Sequence, residues 1–226
     1  LDVTPLSLGI ETLGGLMNVL IPRNTTIPCK AGELFTNARE GQESMRVRVL
    51  QGERELARDN WELGNFDLSF RRAPRGKARV GVQFSLDENG ILEVLARDVE
   101  GGGADVIVKI ESAAVDVSEQ AVEQMVEESV EHAFEDMKAR VFAEARLKAE
   151  ELLPAVEEAL GRLGAGLEAA EHEEILAARR EVEEGLAGDE ANVLKEAVER
   201  LDRATEALAA RLVEDALAAR MGVGRD

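Results

Sequence analysis

Two histidines and one cysteine are the side chains in this sequence best suited to acid–base, metal or nucleophilic chemistry. His132 and His172 lie 40 positions apart in acidic segments, and Cys29 follows Pro28 far from either. A catalytic imidazole needs a convergent partner, and the run beginning at His172 lacks the second histidine of a zinc-binding helix. No Gly-x-Ser-x-Gly turn occurs. We therefore predict that this chain is not an enzyme and holds no metal, and that Cys29 is a packing residue.

Glycines and carboxylates are the other groups whose clustering could indicate a ligand. The triplet Gly101-Gly102-Gly103 has no Lys-Ser or Lys-Thr after it and opens no helix, so a phosphate-binding loop is not predicted there. Paired glutamates recur at Glu127-Glu128, Glu150-Glu151, Glu157-Glu158, Glu173-Glu174 and Glu183-Glu184. Such pairs are typical of solvated helix faces, and we predict no cofactor site in this chain.

The elements that carry these residues differ sharply between the two halves of the 226-residue chain. Residues 1–115 contain 14 basic and 17 acidic side chains with 13 of the 20 glycines, whereas residues 116–226 contain 13 basic and 29 acidic side chains. We predict two domains with these bounds. A net charge of −19 disfavours a nucleic-acid partner, and no apolar run approaches a membrane span. A single cysteine fits a reducing compartment, so we expect a cytoplasmic protein.

The first half has the alternation of half-buried strands. Met45, Val47 and Val49 share one face of such a strand, and residues 80–86 repeat the pattern before the turn sequence Asp87-Glu88-Asn89-Gly90. Further strands are predicted at residues 7–11, 16–21, 33–36, 91–97 and 106–110. Seven or eight short strands without an intervening helix predict an antiparallel β-sandwich.

The second half is predicted to be helical. Asp116 and Glu119 form a capping box, and the next 34 residues contain neither glycine nor proline, which predicts one long helix ending or kinking at Pro154. Another helix is expected over residues 171–185 and a third after Gly188-Asp189. The predicted fold class is α+β: an antiparallel sandwich, a long helix and a small C-terminal helical bundle.

Five sequence blocks of the first half resemble, in order, the substrate-binding domain of the DnaK-type, seventy-kilodalton heat-shock chaperones. The blocks are Leu1-Asp2-Val3-Thr4-Pro5-Leu6-Ser7-Leu8-Gly9-Ile10-Glu11-Thr12, Ile21-Pro22-Arg23-Asn24-Thr25-Thr26-Ile27-Pro28, Leu50-Gln51-Gly52-Glu53-Arg54, Ala73-Pro74-Arg75-Gly76 and Asp87-Glu88-Asn89-Gly90-Ile91-Leu92. The resemblance implies that the sandwich binds extended, Leu- or Ile-rich segments of unfolded proteins in a groove and that the helices form a lid.

Carried over position by position, the resemblance implies a specific groove. Its residues, called the groove residues below, are Ile10, Thr12, Leu13, Phe35, Ala38, Gln42, Met45, Val47 and Val80. Leu13 and Ala38 occupy the pair that arches over the bound backbone in the family. The family also implies an upstream domain, expected to be absent from this fragment, that binds ATP and Mg and works with a J-domain co-chaperone and a nucleotide exchange factor.

The lid is expected to be latched to the sandwich by ion pairs. Arg75 matches the family's bridging arginine, Asp136 and Glu150 match its lid carboxylates, and Glu40 matches an acidic loop position whose usual histidine partner falls on Pro154. The surrounding cations are Arg71, Arg72, Arg75, Lys77 and Arg79. Because the lid is strongly acidic, an intramolecular role is favoured for them over nucleic-acid binding.

Three further hypotheses accompany this interpretation. Segments around Asp136–Arg140, Gly188–Glu190 and Ala209–Arg211 resemble the HscA branch, which serves iron–sulfur cluster assembly and would add a cluster scaffold protein as partner. The small Ala38 resembles DnaK itself and argues against that branch.

A non-chaperone adaptor that docks a partner through its helices is the alternative from a different functional class. An open groove would also permit self-association by capture of a neighbouring chain.

Overall fold

The computed structural model describes residues 2–101, 104–111 and 118–220, and it contains two antiparallel sheets of four strands followed by four helices. The strands are β1 (Leu8–Thr12), β2 (Leu16–Ile21), β3 (Cys29–Phe35), β4 (Gln42–Gln51), β5 (Trp61–Ala73), β6 (Val80–Leu86), β7 (Leu92–Asp98) and β8 (Val106–Ile110). The helices are α1 (Glu119–Glu131), α2 (Ala133–Leu163), α3 (Ala169–Ala187) and α4 (Ala191–Arg220). The predicted α+β class, a sandwich followed by helices, is confirmed.

Strand order is β2-β1-β4-β5 in the first sheet and β3-β6-β7-β8 in the second. Alternation decides which side chains enter the core: in β6, Val80, Val82, Phe84 and Leu86 are buried while the residues between them are not. Side chains from both sheets form one apolar cluster, as the sandwich prediction requires. The turn before β7 is fixed by Asp87, whose Oδ1 accepts hydrogen bonds from the amides of Asn89 and Ile91, each at 2.9 Å.

Contacts divide the chain into two compact units, residues 1–137 and 138–226. The predicted domain boundary after residue 115 and the capping residue Asp116 lie outside the described residues. Within them, α1 is capped by Ser118, whose Oγ accepts from the Ala121 amide at 3.2 Å. By contacts, α1 and the first residues of α2 therefore belong with the sheets, and α2 continues into the second unit.

The long helix breaks at a different place from the one predicted. It is interrupted at His132, whose backbone has φ −95° and ψ 2°, and not at Pro154, which lies inside α2. Val156 and Ala159, just beyond the proline, are buried in the core of the helical unit. Their packing keeps the chain helical where proline removes one amide donor.

The second unit has its own apolar core. One face of α4 packs there, with Leu194, Val198, Leu201 and Leu208 at most 2% exposed. Gly185 of α3 approaches α4 closely, because a Cβ on it would lie 3.2 Å from the Leu194 Cα atom. In the described part of the chain no helix is long and apolar enough to cross a bilayer.

Candidate functional site

The groove residues fall on β1, β3, β4, β6 and two loops, which we call loop 13–15 and loop 36–41. Ile10 and Thr12 lie on β1, and Ile10 pairs with Val49 of the adjacent β4. Met45 and Val47 share the face of β4 that carries Val49. The structure thus brings the predicted positions of β1 and β4 together on neighbouring strands of one sheet.

Three groove residues are buried. Ile10, Val47 and Val80 are 4%, 2% and 0% exposed and all belong to the apolar cluster of the sandwich. Phe35 pairs directly with Val80 across β3 and β6, and it packs on the same cluster while remaining partly exposed. These buried side chains can serve a ligand as the floor of a site, and they also hold the two sheets together.

The accessible apolar surface comes from the remaining positions. Leu13 is 47% exposed on loop 13–15, and Met45 is half-buried against the sandwich cluster. The Thr12 hydroxyl donates to the Leu16 carbonyl at 3.3 Å, which closes the loop that carries Leu13. An apolar ligand side chain could therefore bury area against Leu13 and Met45 without opening the core.

Gln42 shapes the second loop. Its Oε1 accepts from the amides of Ala38 and Arg39 at 3.0 and 3.2 Å, and its Nε2 donates to the Ser44 carbonyl at 2.7 Å. The carboxamide therefore bonds to main-chain atoms on both sides of Gln42, and its Oε1 helps to fix the loop that carries Ala38. A direct contact of Gln42 with a bound peptide stays a prediction.

Asn37 is a buried residue of loop 36–41 that the sequence did not single out. Its Nδ2 donates to the carbonyls of Arg39, Ala73 and Pro74 at 2.8 to 3.2 Å. Its Oδ1 accepts from the amides of Lys77 and Ala78 at 3.2 and 3.0 Å. One amide side chain, 2% exposed, thus ties loop 36–41 to the loop of residues 73–78. A polar residue between Thr36 and Ala38 gives no local signal of this role.

Loop 13–15 is braced by the segment of residues 52–60. The Ala57 amide donates to the Gly15 carbonyl and the Met17 amide to the Glu55 carbonyl, each at 2.8 Å. Asn60 shapes this segment, since its Oδ1 accepts from the Arg54 amide at 3.0 Å and its Nδ2 donates to the Arg54 carbonyl at 2.8 Å. The segment that contacts the groove loop therefore also presents Arg54.

Arg54 forms the ion pair that joins the sandwich to the helices within the first unit. Its Nε lies 2.6 Å from Asp136 Oδ2 and its Nη2 lies 2.9 Å from Oδ1, while the Glu55 amide donates to Oδ2 at 3.3 Å. The two side chains are only 13% and 7% exposed. This bidentate, shielded geometry is the stronger kind of charge-assisted hydrogen bond.

Electrostatics follow the geometry of this pair. Hydrogen bonds from Arg54 lower the pKa of the Asp136 carboxyl, and the Glu55 amide adds to the effect against the opposing cost of burial. Reciprocally, the hydrogen bond from Asp136 raises the pKa of Arg54. Both groups are held in their charged forms.

The latch predicted from Arg75 differs from this arrangement. Asp136 pairs with Arg54 and not with Arg75, because both its oxygens are already engaged by the Arg54 guanidinium. Glu150 pairs with Arg146 one turn earlier on α2 at 3.0 Å. Glu40 accepts from the Arg75 main-chain amide at 2.9 Å. A lid-contacting role for the Arg75 side chain stays a prediction.

Surface cavities of about 650, 590 and 500 Å³ are lined by none of the groove residues. No cluster of His, Cys, Asp and Glu in residues 2–101, 104–111 and 118–220 has the arrangement of a metal site. The exposed Leu13 and the half-buried Met45 are the accessible apolar side chains among the groove residues.

The fold is a two-sheet antiparallel sandwich followed by helices. The shielded Arg54–Asp136 ion pair joins the sandwich to the start of α2. Comparison with known protein families matches residues 1–214 to the family described as Hsp70 protein. The match covers most of the chain, so the chain belongs to the Hsp70 family. Membership supports a chaperone role and the binding of unfolded client polypeptides.

Proposed function

We propose that this chain binds extended, Leu- or Ile-rich polypeptide segments between loop 13–15, which joins β1 to β2, and loop 36–41, which joins β3 of the second sheet to β4 of the first. The observation that carries the proposal is the exposed Leu13 and half-buried Met45 beside the buried floor of Ile10 and Val47. Main-chain hydrogen bonds would hold many sequences alike, and each buried aliphatic side chain of the ligand would contribute about 1.5–3 kcal/mol.

The helical segment is proposed to act as a lid anchored through Arg54. Supporting this, the segment of residues 52–60 contacts both Asp136 at the start of α2 and the main chain of loop 13–15. A displacement of Arg54 would therefore be transmitted to loop 13–15 through the main chain, because Ala57, which bonds to Gly15, is only three residues further along. ATP hydrolysis in an upstream domain is expected to control the lid, with a J-domain protein and a nucleotide exchange factor as partners.

Peptide binding is tested by fluorescence anisotropy with a labelled Leu-rich heptapeptide and a matched peptide in which serine replaces each central leucine. We expect saturable binding of the first and at least about tenfold weaker binding of the second, because the lost apolar burial exceeds the 1.4 kcal/mol that corresponds to a factor of ten. Absence of saturable binding to the Leu-rich peptide would contradict the proposal and favour the adaptor hypothesis.

An iron–sulfur specialised role is a second candidate, supported by the resemblance of the segment around Asp136–Arg140 to the HscA branch. It predicts tighter binding of a Pro-containing peptide from a cluster scaffold protein than of the generic peptide. Competition between the two labelled peptides measures this preference. Equal affinity for the two peptides would contradict the iron–sulfur specialised role and support only the general chaperone role.

A further inference from the structure

The outer face of the second sheet carries exposed apolar side chains. Leu34 on β3, Ile107 on β8 and Val99, just beyond the end of β7, are 56%, 58% and 53% exposed. Leu34 and Ile107 point away from the core, because their strand neighbours Phe35 and Val106 pack on the apolar cluster of the sandwich. This sheet face therefore exposes apolar area that the rest of the chain does not cover.

Two glycines open a furrow in the same face. Gly32 lies on β3 and Gly81 on the adjacent β6, where it pairs with Leu34. A surface cavity of about 590 Å³ lies over the two glycines, and its apolar walls are Leu34, Leu95 and Val99. We call this cavity the glycine furrow.

The backbone of the strands does not require glycine at either position. The φ angles of Gly32 and Gly81 are not positive, so the main chain would accept another residue there. At Gly81 a Cβ would come within 3.3 Å of the Val99 Cγ2 atom, so even a methyl group would fill part of the furrow. Glycine weakens a strand interior and often marks the close approach of another backbone. The furrow is therefore interpreted as room for a group from outside the chain.

The charge on this face is nearly balanced. Its outward-facing charged residues are Lys30, Glu93, Arg97 and Lys109. Lys109 Nζ lies 3.7 Å from Glu93 Oε2, and Arg97 pairs with Asp105. In a chain whose formal net charge is −19, repulsion opposes the approach of a second copy, and it is weaker where the local charge is balanced. The face is therefore suited to contact with its own copy.

We infer that the outer face of the second sheet is a dimer interface, in which Ile107 of each copy enters the glycine furrow of the other. Ile107 lies two strands from Gly81, about 10 Å across the sheet, because adjacent strands are about 4.8 Å apart. The isoleucine and the furrow are thus offset on one face, so a two-fold rotation forms the same contact twice. This self-complementarity favours a second copy over an unrelated protein as the occupant.

The size of the face predicts a weak dimer. Four strands about 4.8 Å apart and five to seven residues long, at about 3.3 Å per residue, give a face of about 19 by 20 Å. A stable interface covers about 800 Å² of each partner, roughly twice this projected area. We therefore expect the dimer to be populated at about 100 µM protein and dissociated at about 1 µM.

Sedimentation velocity of the full chain over this concentration range tests the interface. Ile107→Glu should weaken association at least about 100-fold, because each dimer loses two buried aliphatic contacts that each contribute about a factor of ten or more. The matched control is Val19→Glu, which adds the same charge at a 44% exposed valine of the first sheet and should dimerise like wild type. Added salt should strengthen the wild-type dimer, since it screens the repulsion between copies.

Disulfide trapping tests the two-fold geometry, in a Cys29→Ser background that removes the native thiol. Ile107→Cys and Val99→Cys chains are purified separately, mixed and mildly oxidised. We expect a disulfide-linked dimer in the mixture and little in either chain alone, because residue 107 of one copy meets the furrow wall of the other. The control mixture of Val19→Cys with Val99→Cys should stay unlinked.

Each result decides the inference. Sedimentation that does not depend on concentration up to about 500 µM overturns it, as does equal association of Ile107→Glu and Val19→Glu. Linkage of Ile107→Cys alone as fast as in the mixture, or a dimer that dissociates in high salt, would also contradict the interface.

Capture of one chain in the peptide groove of another is the competing explanation for any self-association. It predicts that a saturating Leu-rich heptapeptide dissociates the dimer, whereas the sheet interface predicts no effect of the peptide. Dissociation by the peptide would therefore overturn the inference. Peptide binding itself is measured separately, so failure of the dimer leaves the proposed function standing.

Discussion

Arg54 and Asp136 form a bidentate ion pair, 2.6 and 2.9 Å long, between the segment that braces loop 13–15 and the first turn of α2. The residues are separated by 82 positions in the sequence. Removing one partner of a shielded pair leaves the other charge without compensation, which costs more than the pair itself contributes. The start of the helical segment is thereby fixed to the sandwich at a defined point.

Asp136→Asn should weaken this attachment by about 3 kcal/mol, since Arg54 would keep its charge in a shielded position. A loss of this size raises the population of the locally opened state by about 100-fold. Hydrogen exchange of amides in residues 119–137 should then accelerate by the same factor, because exchange occurs from that opened state. The control is Asp67→Asn, which removes the exposed partner of Arg46 on the sheet surface. Equal exchange in the two variants would show that the buried pair does not hold α1 and α2.

Acid should weaken the same contact. Because the pKa of Asp136 is lowered in the folded chain, the folded state prefers the ionised carboxylate more than the unfolded state does. Its contribution is complete above about pH 5 and is lost as the pH falls below the unfolded value of about 4 toward the lowered pKa. Urea unfolding of wild type and Asp136→Asn, followed by Trp61 fluorescence and circular dichroism, should therefore converge on acidification. A difference that stays constant down to pH 3 would argue against the assigned ion pair.

Asn37→Asp should destabilise the first unit by about 3 kcal/mol. The three carbonyls of Arg39, Ala73 and Pro74 now accept hydrogen bonds from Nδ2. An ionised carboxylate has no proton to donate to them, so these buried carbonyls would lose their side-chain donor. Urea unfolding monitored at Trp61 measures the loss. Asn89→Asp, in the exposed turn before β7, is the matched change and should have little effect. Similar losses in both would mean that Asn37 does not brace the loop.

Gly52 should not tolerate a side chain. Its φ is +150°, and a Cβ would lie 2.3 Å from Oδ1 of Asn60, the atom that accepts from the Arg54 amide. Gly52→Ala should cost about 3 kcal/mol by strain and by displacement of Asn60. Gly64→Ala on β5 meets only the end of the Ile110 side chain at 3.8 Å and serves as control. A stability close to that of the control would show that Asn60 can move freely.

Local patterns predicted the fold well and the contacts poorly. Alternation at Met45 and Val47, and at Val80 to Leu86, is a property of adjacent residues, so it fixed both the strands and their buried faces. The break at His132 and the continuity through Pro154 depend on tertiary packing, which overrides helix propensity. The partner of Asp136 could not be deduced from spacing, because several arginines precede it and only the folded loop of residues 52–60 presents one of them.

An extended apolar peptide is proposed to bind the face of β4 that carries Met45. The most direct measurement compares Met45→Lys with Ser44→Lys, which place the same charge one residue apart on opposite faces of the strand. Titrated with the labelled Leu-rich heptapeptide, Ser44→Lys should bind like wild type, and Met45→Lys should bind at least about tenfold more weakly while both variants keep the wild-type circular dichroism. Equal affinity of the two variants would contradict the account.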